Sequence, residues 1–380
     1  MSDPSRPARV LLGLTGLRID GGIAGVSRCM VRALDDLVAS GRLERVDRVL
    51  LLDEPRRPPP PPARGEQRLA RGSQARFAWQ LWRCFRAQRA DLVLFDFVGL
   101  ARAAELPLPG LPPPRSVVFV HGIELGRVRG GSREAALRRA WRILVNSETT
   151  RKVLSEQLPE VAEKVRVVPL CLDPERVELW ERARQGAPAG PPREPAALIV
   201  GRMRSVERGK GHDHLLAAWP AVRARKPDAE LWVVGEGDFR PVLEARAREL
   251  GVQDAVRFLG RVPDDALGDL YRRASVFAMP SRQEGFGLVY AEAMWHGLPC
   301  IGSTADAARD VIVDGETGLL VPYGDPAALA AALSDLLEDP ERCAALGAAA
   351  ARHARRAFGY ERFRSNFLAA LELEPPAARA

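Results

Sequence analysis

The sequence predicts an α/β protein made of two successive doubly wound halves that face each other across a ligand cleft. Runs of Val, Ile and Leu alternate with helical stretches from the start of the chain, the rhythm of a parallel sheet covered on both faces. That rhythm breaks at 182–195, RARQGAPAGPPREP, which is polar and rich in Pro and Gly as an interdomain linker should be. It then restarts for a half of similar size, and 380 residues suit two domains of roughly 100–200 residues each. The expected limits are 1–180 for the first domain, 181–195 for the linker and 196–358 for the second.

In the first half the strand runs are RVLLGL, VLLLD, DLVLFD, SVVFVHG, RILVNS and VRVVPL, with helices expected at 24–37, 75–89, 133–141 and 148–158. In the second they are AALIVGR, ELWVVGEG, VRFLGR, SVFAMPS, PCIGS and GLLVP, with helices expected at 212–225, 240–250, 264–273 and 288–296. Ala-rich helices follow at 326–337 and 340–358, then an amphipathic one at 360–371. Two doubly wound sheets place ligands at the carboxyl ends of their strands.

Composition excludes several classes. With 46% hydrophobic and 28% charged residues the chain is globular rather than disordered. Five cysteines, odd in number, scattered and never spaced CxxC, exclude a disulfide framework and a thiolate zinc site and fit a reducing compartment. No run approaches the roughly 20 apolar residues of a membrane span, so the expectation is a cytoplasmic protein, at most peripheral at the inner membrane face. Net charge is +7, and residues 1–178 carry the excess, with 30 Lys and Arg against 21 Asp and Glu. Nucleic acid, anionic lipid and phosphorylated substrates all suit such a half, and so does plain solubility. The proline run Pro58–Pro62 reads as an exposed, stiff segment.

Three motifs sit where a strand gives way to a helix. Gly21-Gly22-Ile23-Ala24-Gly25 is either an anion-binding helix entrance or a tight turn; its spacing is not the G-x-G-x-x-G of a dinucleotide enzyme. Gly201–Gly211 (GRMRSVERGKG) lacks the Ser or Thr that a P-loop needs after its lysine. What remains is two cations, Arg202 and Lys210, suited to a diphosphate without a metal ion. The third, Glu284-Gly285-Phe286-Gly287-Leu288 with Glu292, offers amides at a helix entrance and two carboxylates suited to sugar and ribose hydroxyls.

At these residues the chain resembles the retaining, nucleotide-sugar-dependent glycosyltransferases of family 4, with the GT-B fold. The supporting motifs run in the family's order: the glycine loop, VFVHG with His121, VNSETT with Ser147, GRxxxxERGKG, VVGEG, FLGRV, E-x7-E and GETGLLV. The resemblance implies catalytic roles for His121, Arg202, Lys210 and Glu284. It implies donor contacts from Gly22, Arg261, Val262, Phe286, Gly287, Leu288 and Glu292. In detail, Arg202 and Lys210 would neutralise the diphosphate, Glu292 would bind the ribose, and Glu284 with the neighbouring amides would hold the hexose. His121 would meet the sugar near its reacting carbon, the backbone at Arg261 and Val262 would border the base, and Gly22 would admit the phosphates. It further implies a nucleotide-sugar donor, a saccharide or lipid-linked acceptor, no nucleic acid, no cofactor and no metal, and a last helix at 359–380 that crosses back to the first domain.

The chain departs from the family pattern twice. Pro169-Leu170-Cys171-Leu172-Asp173 stands where PNGVD is common, and Asp306-Ala307-Ala308-Arg309-Asp310 where GGxPE is. The open alternatives are another GT-B enzyme, such as a nucleotide-sugar epimerase, or a non-catalytic sugar-nucleotide-binding protein. Finally, 56–89 holds nine arginines and one acid, and Phe77, Leu81, Trp82 and Phe85 share a helical face flanked by Arg76, Arg83, Arg86 and Arg89. This stripe is either core or a contact with an anionic membrane.

Overall fold

The structure, a computed structural model, describes residues 8–19, 21–88, 90–105, 115–184 and 193–374. It divides into two compact units, Met1–Asp173 with Tyr360–Ala380, and Pro174–Gly359.

In the first unit the described elements are β1 (Ala8–Leu14), α1 (Gly22–Ala39), β2 (Leu43–Leu50), β3 (Gln67–Leu69), α2 (Gln74–Gln88), β4 (Leu92–Phe95), α3 (Val98–Ala101), β5 (Arg115–Val120), α4 (Gly131–Arg139), β6 (Arg142–Val145), α5 (Glu148–Gln157) and β7 (Val165–Val167). The strands form a parallel sheet in the order β3-β2-β1-β4-β5-β6-β7. Progress along the sheet reverses between β1 and β4, which makes their carboxyl ends the switch point of a doubly wound fold. Val10, Leu12, Leu94, Phe95 and Val117 have no accessible surface. Helices on both faces are why these runs are continuously apolar instead of alternating.

In the second unit follow α6 (Pro174–Arg184), β8 (Ala196–Val200), α7 (His212–Arg225), β9 (Glu230–Val234), α8 (Arg240–Glu249), β10 (Val256–Gly260), α9 (Asp264–Arg273), β11 (Val276–Ala278), α10 (Leu288–Trp295), β12 (Cys300–Ser303), α11 (Ala308–Val311), β13 (Gly318–Val321), α12 (Pro326–Glu338) and α13 (Pro340–Ala357). The sheet is again parallel, in the order β10-β9-β8-β11-β12-β13, with its switch point between β8 and β11.

The last helix, α14 (Tyr360–Ala370), belongs to the first unit although the chain reaches it through the second. Tyr360 donates its hydroxyl to Asp36 of α1 at 3.2 Å, the Arg32 guanidinium lies 4.8 Å over the Tyr360 ring, and Phe363 and Phe367 are buried.

Three expectations change. The first unit ends at Asp173, not at residue 180, because α6 is anchored in the second unit. Its Trp180 is buried, donates Nε1–H to the Asp264 carbonyl at 3.0 Å and meets the His296 ring at 4.7 Å. Burying an indole gives such a contact a large apolar area. The linker expected at 181–195 is helical at its start, and 185–192 lie outside the described residues. The proline run is not wholly exposed: Pro59 and Pro62 are buried, and the carbonyls of Pro59 and Pro60 accept from Gln67 at 2.9 Å and Arg48 at 3.2 Å.

The α2 stripe splits. Phe77, Leu81, Cys84 and Phe85 are buried in the core of the first unit. Trp79 on the other face is 52% exposed, with the Arg83 guanidinium 4.7 Å over its ring. Trp82 carries Arg86 in the same way at 5.3 Å, and Arg89 lies outside the described residues.

Candidate functional site

In the second unit the loops after β8 and β11 meet at the switch point. Gly211 explains the meeting: its φ is +91°, and a Cβ there would lie 2.5 Å from the Pro280 carbonyl oxygen. A side chain would meet both a steric and a conformational penalty. The Arg282 amide donates to the Gly209 carbonyl at 2.9 Å, which closes the contact. Lys210 is thereby brought to Glu284, Nζ to Oε2 2.8 Å, with both side chains mostly shielded from solvent.

The segment after Glu284 turns through Gly287, at φ +88°, into α10. A Cβ on Gly287 would lie 2.4 Å from the Tyr290 ring, so the turn requires glycine. Phe286 is buried edge-on against Phe358, centroids 5.6 Å apart, so any ligand contact from Phe286 is through its backbone. No side chain caps α10; the Tyr290 amide donates to the Gly287 carbonyl at 2.9 Å, and the Leu288 and Val289 amides ahead of it are the ones offered to an anion or a hydroxyl.

Asp306 underlies this segment. Its Oδ2 accepts from the Ser281 hydroxyl at 2.7 Å and the Glu284 amide at 2.9 Å, and its Oδ1 from the Ala308 amide at 3.0 Å. Burial pushes its carboxyl up from the ordinary range, against these hydrogen bonds.

Glu292 is buried, and both its oxygens are engaged. Arg176 of α6 pairs with Oε1, and the Tyr271 hydroxyl donates to Oε2 at 2.9 Å. Burial raises its pKa, while Arg176 opposes the rise most strongly. The carboxylate is therefore held on its inner side and is not a free group turned to solvent. Arg202 differs from Lys210: it is 66% exposed and pairs with Glu207 at 3.2 Å, so the two expected diphosphate cations have different partners and different environments. Gly235 donates its amide to the Gly260 carbonyl at 2.8 Å, fixing the strand end that leads to the exposed Arg261 and half-buried Val262.

In the first unit His121 immediately follows β5. It is buried, stacked on Phe119 at 4.8 Å, and its Nε2 lies 2.8 Å from the Asp96 carbonyl. A carbonyl only accepts, so Nε2 carries the proton and Nδ1 is an acceptor. Burial pushes the His121 pKa down to about 4, which keeps the ring neutral near pH 7. Glu124 accepts from the His121 amide at 3.0 Å, and burial pushes its carboxyl up to about 7. The Asp96 carboxylate, pushed up to about 6 by burial, accepts from the Thr15 amide at 2.8 Å and the Ser27 hydroxyl at 2.7 Å, tying β4 to the loop after β1. Gly22 opens α1 and is exposed, next to Gly21 at φ +129°. Ser147 caps α5, accepting from the Thr150 amide at 3.0 Å.

Sequence reasoning did not find Arg176, Tyr271, Asp96 or Glu124, and met Asp306 only as a departure from a pattern. Glu124 had a local signal, a carboxylate three residues past His121 in a turn. Arg176 lies 116 positions from Glu292 and had none.

Residues 31–176 match the model of Glycosyltransferase Family 4, and residues 194–339 that of Glycosyl transferases group 1. A GDP-mannose-dependent alpha-(1-6)-phosphatidylinositol monomannoside mannosyltransferase of Mycolicibacterium smegmatis is 36% identical over 201 residues, 51% of this chain and 50% of that protein. The chain thus matches about half the length of that relative. Sucrose-phosphate synthase of Thermosynechococcus elongatus has a similar structure, with a TM-score of 0.76 at 23% identity over 97% of this chain and 98% of that one. HepE of Anabaena, solved in complex with UDP-glucose, gives 0.71 at 20% over 96% and 99%. At these identities the two structures speak for the fold alone. With a Family 4 match followed by a group 1 match, on two doubly wound parallel sheets, the chain belongs to glycosyltransferase family 4 and has the GT-B fold.

Proposed function

We propose that the protein moves a hexose from a nucleoside diphosphate sugar to a hydroxyl of a saccharide or lipid-linked acceptor, with retention at the anomeric carbon and without a divalent metal, in cell-surface polysaccharide or glycoconjugate synthesis. The observation that carries this reading is the shielded Lys210–Glu284 pair at the switch point of the second unit. As the glycosidic bond breaks, negative charge grows on the departing diphosphate. A preorganised ammonium, together with the Leu288 and Val289 amides that open α10, stabilises that charge more than the bound ground state. Glu284, next to the cation, is placed to accept from hexose hydroxyls. Glu292, braced by Arg176 and Tyr271, has lone pairs left for ribose hydroxyls.

Arg202, exposed at the surface, is assigned to a phosphate in exchange for its pairing with Glu207. His121, neutral and oriented by the Asp96 carbonyl, is assigned to the sugar near its reacting carbon. The departing phosphate serves as the base for the incoming hydroxyl. A lipid-linked acceptor and a nucleotide-sugar donor are both supported by the name of the mycobacterial relative.

The test starts with melting curves in the presence of UDP, GDP and ADP sugars, where a ligand of the folded state raises the midpoint. The stabilising donor is then offered to saccharide acceptors, and the product anomer is read by NMR with and without EDTA. A product with the donor's anomeric configuration, formed equally with EDTA, is expected. Inversion, or loss with EDTA and rescue by Mn²⁺, overturns the reading; an epimerised donor with no glycoside favours the epimerase alternative.

A further inference from the structure

The geometry points to Asp306 as the positioning residue that sets Glu284 for the donor sugar, a function taken here by a carboxylate where the family pattern opens with glycine. The inference rests on the reading of Glu284 as the hexose-binding carboxylate.

Glu284 lies in an irregular segment between β11 and α10, outside the hydrogen-bond ladders that fix a strand or helix. Its backbone needs another anchor. Asp306, only 4% exposed, supplies it from the loop after β12. One oxygen takes the Ser281 hydroxyl and the Glu284 amide, both within the segment, and the other takes the Ala308 amide at the entrance of α11. The Ala307 amide returns a bond to the Glu284 carbonyl at 3.2 Å, so Glu284 is gripped by both its N–H and its C=O. Three donors converge on one carboxylate, which has acceptor capacity for all of them. Glycine at this position would leave the Ser281 hydroxyl and the Glu284 amide to find other acceptors.

The consequence is selective. Lys210 sits on a different loop, anchored through Gly211 and Gly209, and Glu292 lies within α10 and is braced by Arg176 and Tyr271. Neither is bonded to Asp306, and Lys210 is linked to it only through the Glu284 side chain and the Arg282–Gly209 hydrogen bond. Loss of the carboxylate should therefore disturb recognition of the sugar more than recognition of the nucleoside diphosphate.

The experiment measures binding of the free nucleoside diphosphate and of the intact nucleotide sugar by calorimetry, in the parent chain and in Asp306→Ala, Asp306→Asn and Glu284→Ala. For Asp306→Ala the expected result is about tenfold weaker binding of the nucleotide sugar, with binding of the diphosphate changed less than about twofold. Asp306→Asn, which keeps one carbonyl acceptor, should recover part of the loss. Should Asp306→Ala fail to fold, Ser281→Ala removes a single bond of the anchor and should show the same selectivity at smaller size. Equal weakening of both ligands, or of neither, overturns the inference while Glu284→Ala still weakens the nucleotide sugar. If Glu284→Ala binds the nucleotide sugar as the parent does, it is the reading of Glu284 that fails.

Discussion

Lys210 and Glu284 are held 2.8 Å apart although they sit on loops that follow different strands, β8 and β11. The pair is partly shielded, so the charge of Lys210 is less screened than that of the exposed Arg202. Lys210→Ala should lower turnover by about 10²-fold, the usual scale for losing one preorganised charge stabiliser. Arg202→Ala should cost less. Steady-state rates with saturating donor measure both, and a larger loss for Arg202→Ala would invert the assignment.

Glu292 should act on binding more than on turnover, since a ribose contact is nearly the same in ground and transition states. Glu292→Ala is expected to raise the KM for the donor with little change in kcat. Arg176→Met should move KM in the same direction, because it leaves a buried carboxylate without its cation and favours the protonated form. Donor titrations on both variants decide the matter; unchanged KM in both would remove Glu292 from the ribose site.

Stability should report the buried carboxyl of Glu124. Its pKa in the folded protein is about 7, against an ordinary value near 4.5, so the folded state holds the proton through that window and the unfolded state releases it. Stability from this group is present below about pH 4.5 and is lost as pH rises through about 7. Glu124→Gln cannot ionise. The melting temperature of this variant relative to the parent should therefore rise between about pH 5 and pH 8. His121 and Asp96 titrate in both proteins and largely cancel in the difference. A gap that stays constant with pH would show that Glu124 ionises like an exposed carboxyl.

Membrane contact through α2 would use its outer face, because Phe77, Leu81 and Phe85 are committed to the core. The residues left for it are Trp79 with Arg76, Arg83 and Arg86. Co-sedimentation with vesicles containing anionic phospholipid should be strong at low salt and weak at high salt, and weak throughout with neutral vesicles. Arg83→Glu with Arg86→Glu should weaken it without lowering the melting temperature. Equal sedimentation with both kinds of vesicle, or none, would leave α2 as a sheet-covering helix only. Among the described residues no helix is long and apolar enough to cross a membrane.

The elements were largely legible because their signals are local. VLLGL reads as a strand buried on both faces, and Glu284, Gly287 and Glu292 could be singled out because E-x7-E with its glycines lies within one turn and one helix. The α2 stripe shows the limit: four aromatic or aliphatic residues on one face fit a core or a membrane equally, and only packing assigns three of them to the core.

What the sequence determined by itself was therefore whatever depends on neighbours along the chain: strand and helix periods, the glycine-bearing loops at 201–211 and 284–288, the candidate cations and carboxylates, and the family resemblance. Only the tertiary structure decided which of those groups are partners. It joined Lys210 to Glu284, set Arg202 apart with Glu207, turned Glu292 toward Arg176 and Tyr271, and made Asp306 an anchor. The reason is physical: the free energy of a buried charge or amide depends on which donor or acceptor arrives from elsewhere in the fold, and that arrival has no period in the sequence.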